Sequence, residues 1–373
     1  MRLKYAACIL FFYVSGAGFC LAQPVDKNAT KETRKLYKNL NKFIKRGIMF
    51  GHQDDMAYGV GWRDVEGRSD IKEVAGEYPA VFGWEVAGLE KDAALNIDSI
   101  PFTKMKQYIR QVYDMGLVNT MTWHLDNPFN GKSAWDTKQV SLPAILPGGS
   151  KHQLYNTWLD KLGVFLLDLK GSDGKPIPIL FRPYHELTGS WFWWGRDLCT
   201  PQEFKQLWIY TYNYLQNKGI HNLIYVYNTG SVKTMDAFME RYPGDAYVDM
   251  VSCDAYDSNS KGPDSRFVTE TDKSLTIVEQ AGKLHNKIPA LAETGYEAIP
   301  YSEWWTNVFW KAIENHKLSY VLVWRNAGYQ PENKKHHYYA PYKGSNSEKD
   351  FLELINTKPL LLQKKVQKKN IYK

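Results

Sequence analysis

The sequence is poor in cysteine, has no long apolar run, and carries little excess charge outside its ends. Of four cysteines, Cys8 and Cys20 lie in the first 22 residues, which leaves Cys199 and Cys253. Two cysteines without CxxC spacing make neither a disulfide framework nor a zinc site. Whether they pair or stay as buried thiols is open at this level. The apolar run at the N-terminus, Ala6–Val14, has nine residues, well short of the about 20 that a spanning helix needs. No later stretch approaches that length. The formal net charge is +7, yet residues 23–357 hold 39 basic and 40 acidic side chains. So neutral a body excludes the broad basic surface of a nucleic-acid-binding protein. Repeats and low-complexity linkers are missing too. Gly59-Val60-Gly61 lacks the third glycine of a dinucleotide fingerprint. His185-Glu186 is followed by Gly189 where a zinc-protease helix would place its second histidine.

The two ends are distinct. Arg2 and Lys4 precede the apolar run, and Cys20-Leu21-Ala22 offers small residues at −3 and −1 before Gln23. Residues 1–22 therefore read as a signal peptide, with lipid attachment at Cys20 as the alternative, and the protein is expected to be exported to the periplasm or beyond. Residues 358–373 contain six lysines and no acid, and they read as a solvated basic tail. One catalytic domain is expected between them, over residues 23–357.

What is abundant is aromatic: 13 Trp and 25 Tyr in 373 residues. Such rings often line sites for flat, partly apolar ligands. Short β-type runs recur at Ile48–Phe50, Ala80–Trp84, Leu117–Trp123, Ile177–Arg182, Leu223–Tyr227, Val248–Ala255, Ile288–Glu293 and Tyr320–Trp324. Helical patterns fall between many of them, at Phe102–Met115, Pro201–Lys218, Ser274–His285 and Glu303–His316. Thr200-Pro201 is an N-cap followed by a first-turn proline, and Gly116 and Gly219 stand where helices should end. Eight buried strands alternating with helices predict an α/β fold, a single (β/α)8 TIM barrel, with an open doubly wound sheet as the alternative.

In such a barrel, chemistry gathers at the C-terminal strand ends. The residues there are His52-Gln53-Asp54, Trp84-Glu85, Trp123-His124, Arg182-Pro183-Tyr184-His185-Glu186, Asp254-Ala255-Tyr256-Asp257, Glu293-Thr294-Gly295 and Trp324-Arg325. A recurrent ring of charged and aromatic groups is hard to explain by packing, because buried charges need partners. Glu186 and Glu293 stand 107 residues apart on the fourth and seventh strands. Two carboxylates opposed across a barrel mouth suit glycosidic bond cleavage. Trp191, Trp193 and Trp194 are expected to form an aromatic platform beside them. Arg182 is as readily a purely structural ion-pair partner.

These residues carry a resemblance. Arg182-Pro183-Tyr184-His185-Glu186 with Gly189-Ser190-Trp191-Phe192-Trp193-Trp194-Gly195 resembles the acid/base signature of glycoside hydrolase family 26, mostly β-mannanases. Gly51-His52-Gln53, Trp123-His124, Asp254-Ala255-Tyr256-Asp257, Glu293-Thr294-Gly295 and Trp324-Arg325 fall where that family places other site residues, and the resemblance spans residues 34–356. It implies a clan A barrel and retention by double displacement, with Glu186 as acid/base and Glu293 as nucleophile. Tyr256 would hydrogen-bond Glu293, His185 and Trp191 would orient the acid, and Arg325 would add positive charge. His124, His185, Asp254, Trp324 and Arg325 would line the subsite of the attacked sugar, with Trp324 as its floor. No metal or organic cofactor is implied. Glu186 must start protonated, so its pKa should be raised by its apolar wall and by Glu293.

The expected substrate is a mannan, galactomannan or glucomannan, cut internally by an enzyme acting as a monomer. Release of mannobiose from chain ends is the first alternative, and it depends on whether Leu89–Pro101 or Asp126–Lys151 closes the cleft. A related xylanase or β-glucanase comes next, then a carbohydrate-binding protein without catalysis.

Overall fold

The computed structural model describes residues 23–332 and 334–373. The expected signal peptide lies outside the described residues. Each of the eight apolar runs becomes a strand: β1 Ile48–Gln53, β2 Val81–Glu85, β3 Val118–Trp123, β4 Ile179–Pro183, β5 Leu223–Thr229, β6 Met250–Asp257, β7 Ile288–Tyr296 and β8 Tyr320–Val323. They pair in parallel in sequence order. β8 then returns to β1, with Met49 opposite Tyr320 and His52 opposite Val323. The sheet is therefore a closed (β/α)8 barrel, and no open crevice of a doubly wound fold exists. Nearly every strand residue is buried. This is why the strands read as continuous apolar runs rather than alternating ones.

Local sequence explains several helix limits. The long helices are α1 Lys31–Phe43, α2 Phe102–Asp114, α3 His152–Asp168, α4 Pro201–Asn217 and α5 Arg266–His285. At the start of α4, Thr200 Oγ1 accepts from Glu203 N at 3.2 Å while Glu203 Oε2 accepts from Thr200 N at 2.8 Å, a reciprocal capping box. Gly116 and Gly219 end α2 and α4 with φ of 73° and 77°, a conformation that suits glycine. The helix expected over Ser274–His285 starts earlier, at Arg266, because the Ser265 hydroxyl caps Val268 N at 3.2 Å. The pattern at Glu303–His316 is not one α-helix. It is a π-helical turn over Trp305–Phe309 followed by a short helix, with the Asp350 carboxylate accepting from the backbone of Trp305 and Thr306.

Residues 358–373 are not the solvated tail that their lysine content suggested. Leu360–Leu361 pairs in parallel with Ile48–Met49 of β1, and Val366 and Ile371 are fully buried. Tyr372 OH donates to Leu117 O at 2.8 Å, and Asn39 Nδ2 of α1 donates to Ile371 O at 2.7 Å. Each fully buried aliphatic side chain contributes about 1.5–3 kcal/mol, enough to order the segment as the base of the barrel. Its lysines point outward. Charge described the exposed residues correctly, and the interleaved apolar residues decided the conformation. Cys199 and Cys253 are buried free thiols. Among the described residues, no helix is long and apolar enough to cross a membrane.

Candidate active site

The chain leaves β4 through two residues in the left-handed region, Tyr184 at φ 51° and Glu186 at φ 54°. For side chains other than glycine this conformation costs energy and persists only when the surroundings enforce it. Here they do. Tyr184 OH bonds Thr211 Oγ1 at 2.8 Å, Trp194 Nε1 donates to His185 O at 2.9 Å, and Glu186 N donates to Asn228 Oδ1 at 3.2 Å. The result presents Glu186 half-buried, with its Oε2 accepting from Trp191 Nε1 at 2.5 Å.

Glu293 arrives by another route. Along β6 and β7, Cys253 lies opposite Leu291 but Asp254 lies opposite Glu293, so a bulge at Ala292 breaks the register. Bulges re-aim side chains and are common beside active sites. Glu293 is 4% exposed. Its Oε1 accepts from Arg182 Nη2 and its Oε2 from Tyr256 OH at 2.8 Å. Arg182, 2% exposed, also donates from Nη1 to Asp254 Oδ2 and Asn228 Oδ1, both at 2.9 Å.

One carboxylate oxygen each from Glu186, Asp254 and Glu293 lies within 4.8 Å of the others. Three such groups have the makings of a cation site, but the Arg182 guanidinium already donates to two of them and supplies the positive charge. Burial and the neighbouring Glu293 push the Glu186 carboxyl up to about 7. A carboxyl that stays protonated near neutrality, facing a second carboxylate held by two donors, can transfer a proton on one side of a bond while the other group attacks.

A second network borders the pair. Glu85, fully buried, accepts from Thr122 Oγ1 at 2.8 Å and from His124 N at 2.9 Å, and meets His124 Nδ1 at 2.5 Å. Burial works against a charged His124, but the Glu85 carboxylate outweighs it and raises the imidazole above its ordinary value. His124 Nε2 lies 3.0 Å from His185 Nε2. Burial, then positive His124 and Arg182, lower His185 well below its ordinary value. Of the two rings, His124 therefore has the higher proton affinity.

The structure brings Glu186, Glu293, Asp254, Tyr256, Trp191, His185 and His124 into one connected cluster. Trp324 follows β8 half-buried, its N–H bonded to Thr294 O at 2.9 Å. Arg325 does not reach the carboxylates through any direct bond. It pairs with Asp98 Oδ1 at 2.9 Å and approaches Tyr58 OH at 3.4 Å. The cation touching the pair is Arg182. The expected tryptophan platform is also corrected. Trp191 is 47% exposed, whereas Trp193 and Trp194 are fully buried, because their indole N–H groups are anchored on Leu125 O and His185 O beneath the loop. Glu85 stood among the strand-end residues without a role, and sequence reasoning passed over Asn228 and Asp98. Asn228 is a polar residue at the end of an apolar run, the signal that found the others.

Residues 25–336 match the sequence model of Glycosyl hydrolase family 26. A mannan endo-1,4-beta-mannosidase of Bifidobacterium adolescentis is 33% identical over 359 residues, covering 91% of this chain and 35% of that protein. The chain thus spans about a third of that relative's length. A mannan endo-1,4-beta-mannosidase of Bacillus subtilis is 28% identical, covering 69% of this chain and 74% of the relative. Among solved structures, the GH26 beta-mannanase BoMan26A from Bacteroides ovatus has a TM-score of 0.87 at 40% identity, with 92% of this chain and 98% of that chain covered. A modular endo-beta-1,4-mannanase from Cellulomonas fimi has a TM-score of 0.82 at 30% identity, with 92% and 78% covered.

Proposed function

Since the chain belongs to glycosyl hydrolase family 26, we propose that it cleaves β-1,4-mannosidic bonds inside mannan-type polysaccharides, with retention of configuration. Glu186 is the general acid/base and Glu293 the nucleophile. Protonated Glu186 gives its proton to the glycosidic oxygen as Glu293 attacks the anomeric carbon. The leaving saccharide departs as an alcohol, and an ester joins sugar to enzyme. Glu186, now a carboxylate, takes a proton from water, whose oxygen displaces Glu293 and restores both groups. Arg182 and Tyr256 hold the nucleophile and release it when the ester forms. His124, His185, Asp254, Trp324 and Arg325 bind the sugar, and Trp191 holds the acid. No step requires a metal or organic cofactor.

The observation carrying this reading is the approach of the two carboxylates to within 4.8 Å. Retaining pairs sit roughly 5–5.5 Å apart, whereas inverting pairs leave roughly 6.5–9.5 Å for a water. Proton NMR of mannopentaose hydrolysis tests it. The β-anomer should form first, and initial α-anomer would overturn the mechanism. A substrate panel with xylan and mixed-linkage glucan tests the sugar.

One observation favours the mannobiose-releasing alternative. The segments Leu89–Pro101 and Asp126–Lys151 are tied together, Lys91 pairing with Asp126 and donating to Gly131 O at 2.9 Å, while Glu90 accepts from Asp126 N at 2.9 Å. A joined wall of this kind would limit the cleft at one end. Mannobiose alone from mannohexaose at the earliest times supports it, and a spread of lengths supports internal cutting. A polymeric substrate accords with export to the periplasm or beyond, tested by fractionating the expressing cells.

A further inference from the structure

The barrel end opposite the candidate site carries charge that the proposed chemistry does not use. α1 exposes Lys31, Arg34, Lys38 and Lys42 at three- and four-residue spacing while Leu36, Leu40 and Phe43 are buried beneath. It closes the N-terminal end of the barrel, where Thr30 N donates to His221 O just before β5. The C-terminal segment adds exposed Lys364, Lys365, Lys368 and Lys369. The two elements lie side by side, since Asn39 donates to Ile371 O at 2.7 Å and Lys373 O at 3.1 Å. Among the described residues, none of these eight side chains has an acidic partner within 4.0 Å.

We propose that this face docks on an anionic phospholipid surface. Four features select that partner. The face is opposite the mouth, so docking leaves the cleft open to solvent. Seven of the eight cations are lysines, point charges on flexible stems that suit diffuse headgroups rather than the bidentate phosphate geometry arginine serves. Tyr37, Phe43 and Tyr372 on these elements are buried, which leaves no ring there for stacking nucleic-acid bases. Finally, the described chain begins at this same end, where Val25 N donates to Asp249 Oδ1 at 2.7 Å immediately before β6. Lipid attachment at Cys20, the alternative reading of the leader, would therefore bring this face to the bilayer. Residues 23–373 total +5, from 45 basic and 40 acidic side chains, so removing these eight leaves −3. The rest of the molecule therefore carries no net positive charge that would compete with this face for an anionic surface.

Flotation of the full chain with vesicles tests the proposal. Vesicles of equal parts phosphatidylglycerol and phosphatidylcholine should retain the protein at low ionic strength and release it at high salt. Reversing Lys364, Lys365, Lys368 and Lys369 to Glu should reduce binding about tenfold or more, with the fold checked by thermal unfolding. A second variant, K31E/K38E/K42E, should weaken binding in the same direction and serves if the first fails to fold. Equal binding of wild type and variants, salt-insensitive binding to phosphatidylcholine alone, or retention on heparin in preference to the vesicles would each overturn it.

Discussion

The ends of β4 and β7 present the same functional group in opposite surroundings. Glu186 is half-buried on a left-handed turn, with one indole donor and an upward-shifted carboxyl. Glu293 is buried behind a bulge, with a guanidinium and a phenol aimed at its oxygens. Two glutamates of identical intrinsic acidity thus meet different surroundings: burial and Glu293 raise the Glu186 carboxyl, while Glu293 itself is held by a guanidinium and a phenol. The difference lies in the partners supplied by neighbouring strands.

The sharpest way to break this contrast is Glu293→Ala. It should cut kcat on every substrate on the order of 10⁴-fold or more, the scale for losing a residue of a covalent mechanism. Glu186→Ala should separate substrates. On mannan, turnover should fall roughly 10²–10⁴-fold, while aryl mannosides with acidic leaving groups should lose far less, because they need little protonation. Equal losses on both substrate types would mean that the two sites do not differ as described. Tyr256→Phe removes one of the two donors to Glu293 and should lower kcat roughly 10²-fold, comparable to losing one preorganised donor.

The pH profile sharpens the comparison further. The Glu186 carboxyl lies at about 7, and the proposed acid is its protonated form, so kcat/KM should fall as pH rises through that value. The Trp191 hydrogen bond favours ionised Glu186 and holds this value down. Trp191→Phe should therefore move the alkaline limb to higher pH, with a rate loss of only a few-fold. An unchanged limb, read from the pH dependence of initial rates, would disconnect Trp191 from the acid.

Much of this arrangement was legible beforehand. The eight strands were visible as apolar runs because a parallel barrel buries both faces of each strand. Glu186, His124 and Glu293 were visible because they terminate such runs. Trp193 and Trp194 were misjudged because adjacent aromatic residues carry no label for depth, and only the fold of the loop buries them. Residues 358–373 were misjudged because six lysines dominated a segment whose few apolar side chains lock it onto β1. Arg182 was legible as an ion-pair partner, but its carboxylates were not, since nothing local indicates that it reaches to Asp254 and Glu293 on other strands.

By itself the sequence determined which segments bury, in what order strand and helix alternate, and which polar groups stand at strand ends, because these depend on residues near one another along the chain. Only the tertiary structure decided which of those groups touch. Closure of the barrel sets Arg182 against Glu293, 111 residues away, and the bulge at Ala292 turns that carboxylate inward. Proton affinity depends on distances of a few ångströms between such remote groups, and these exist only once the chain has closed on itself.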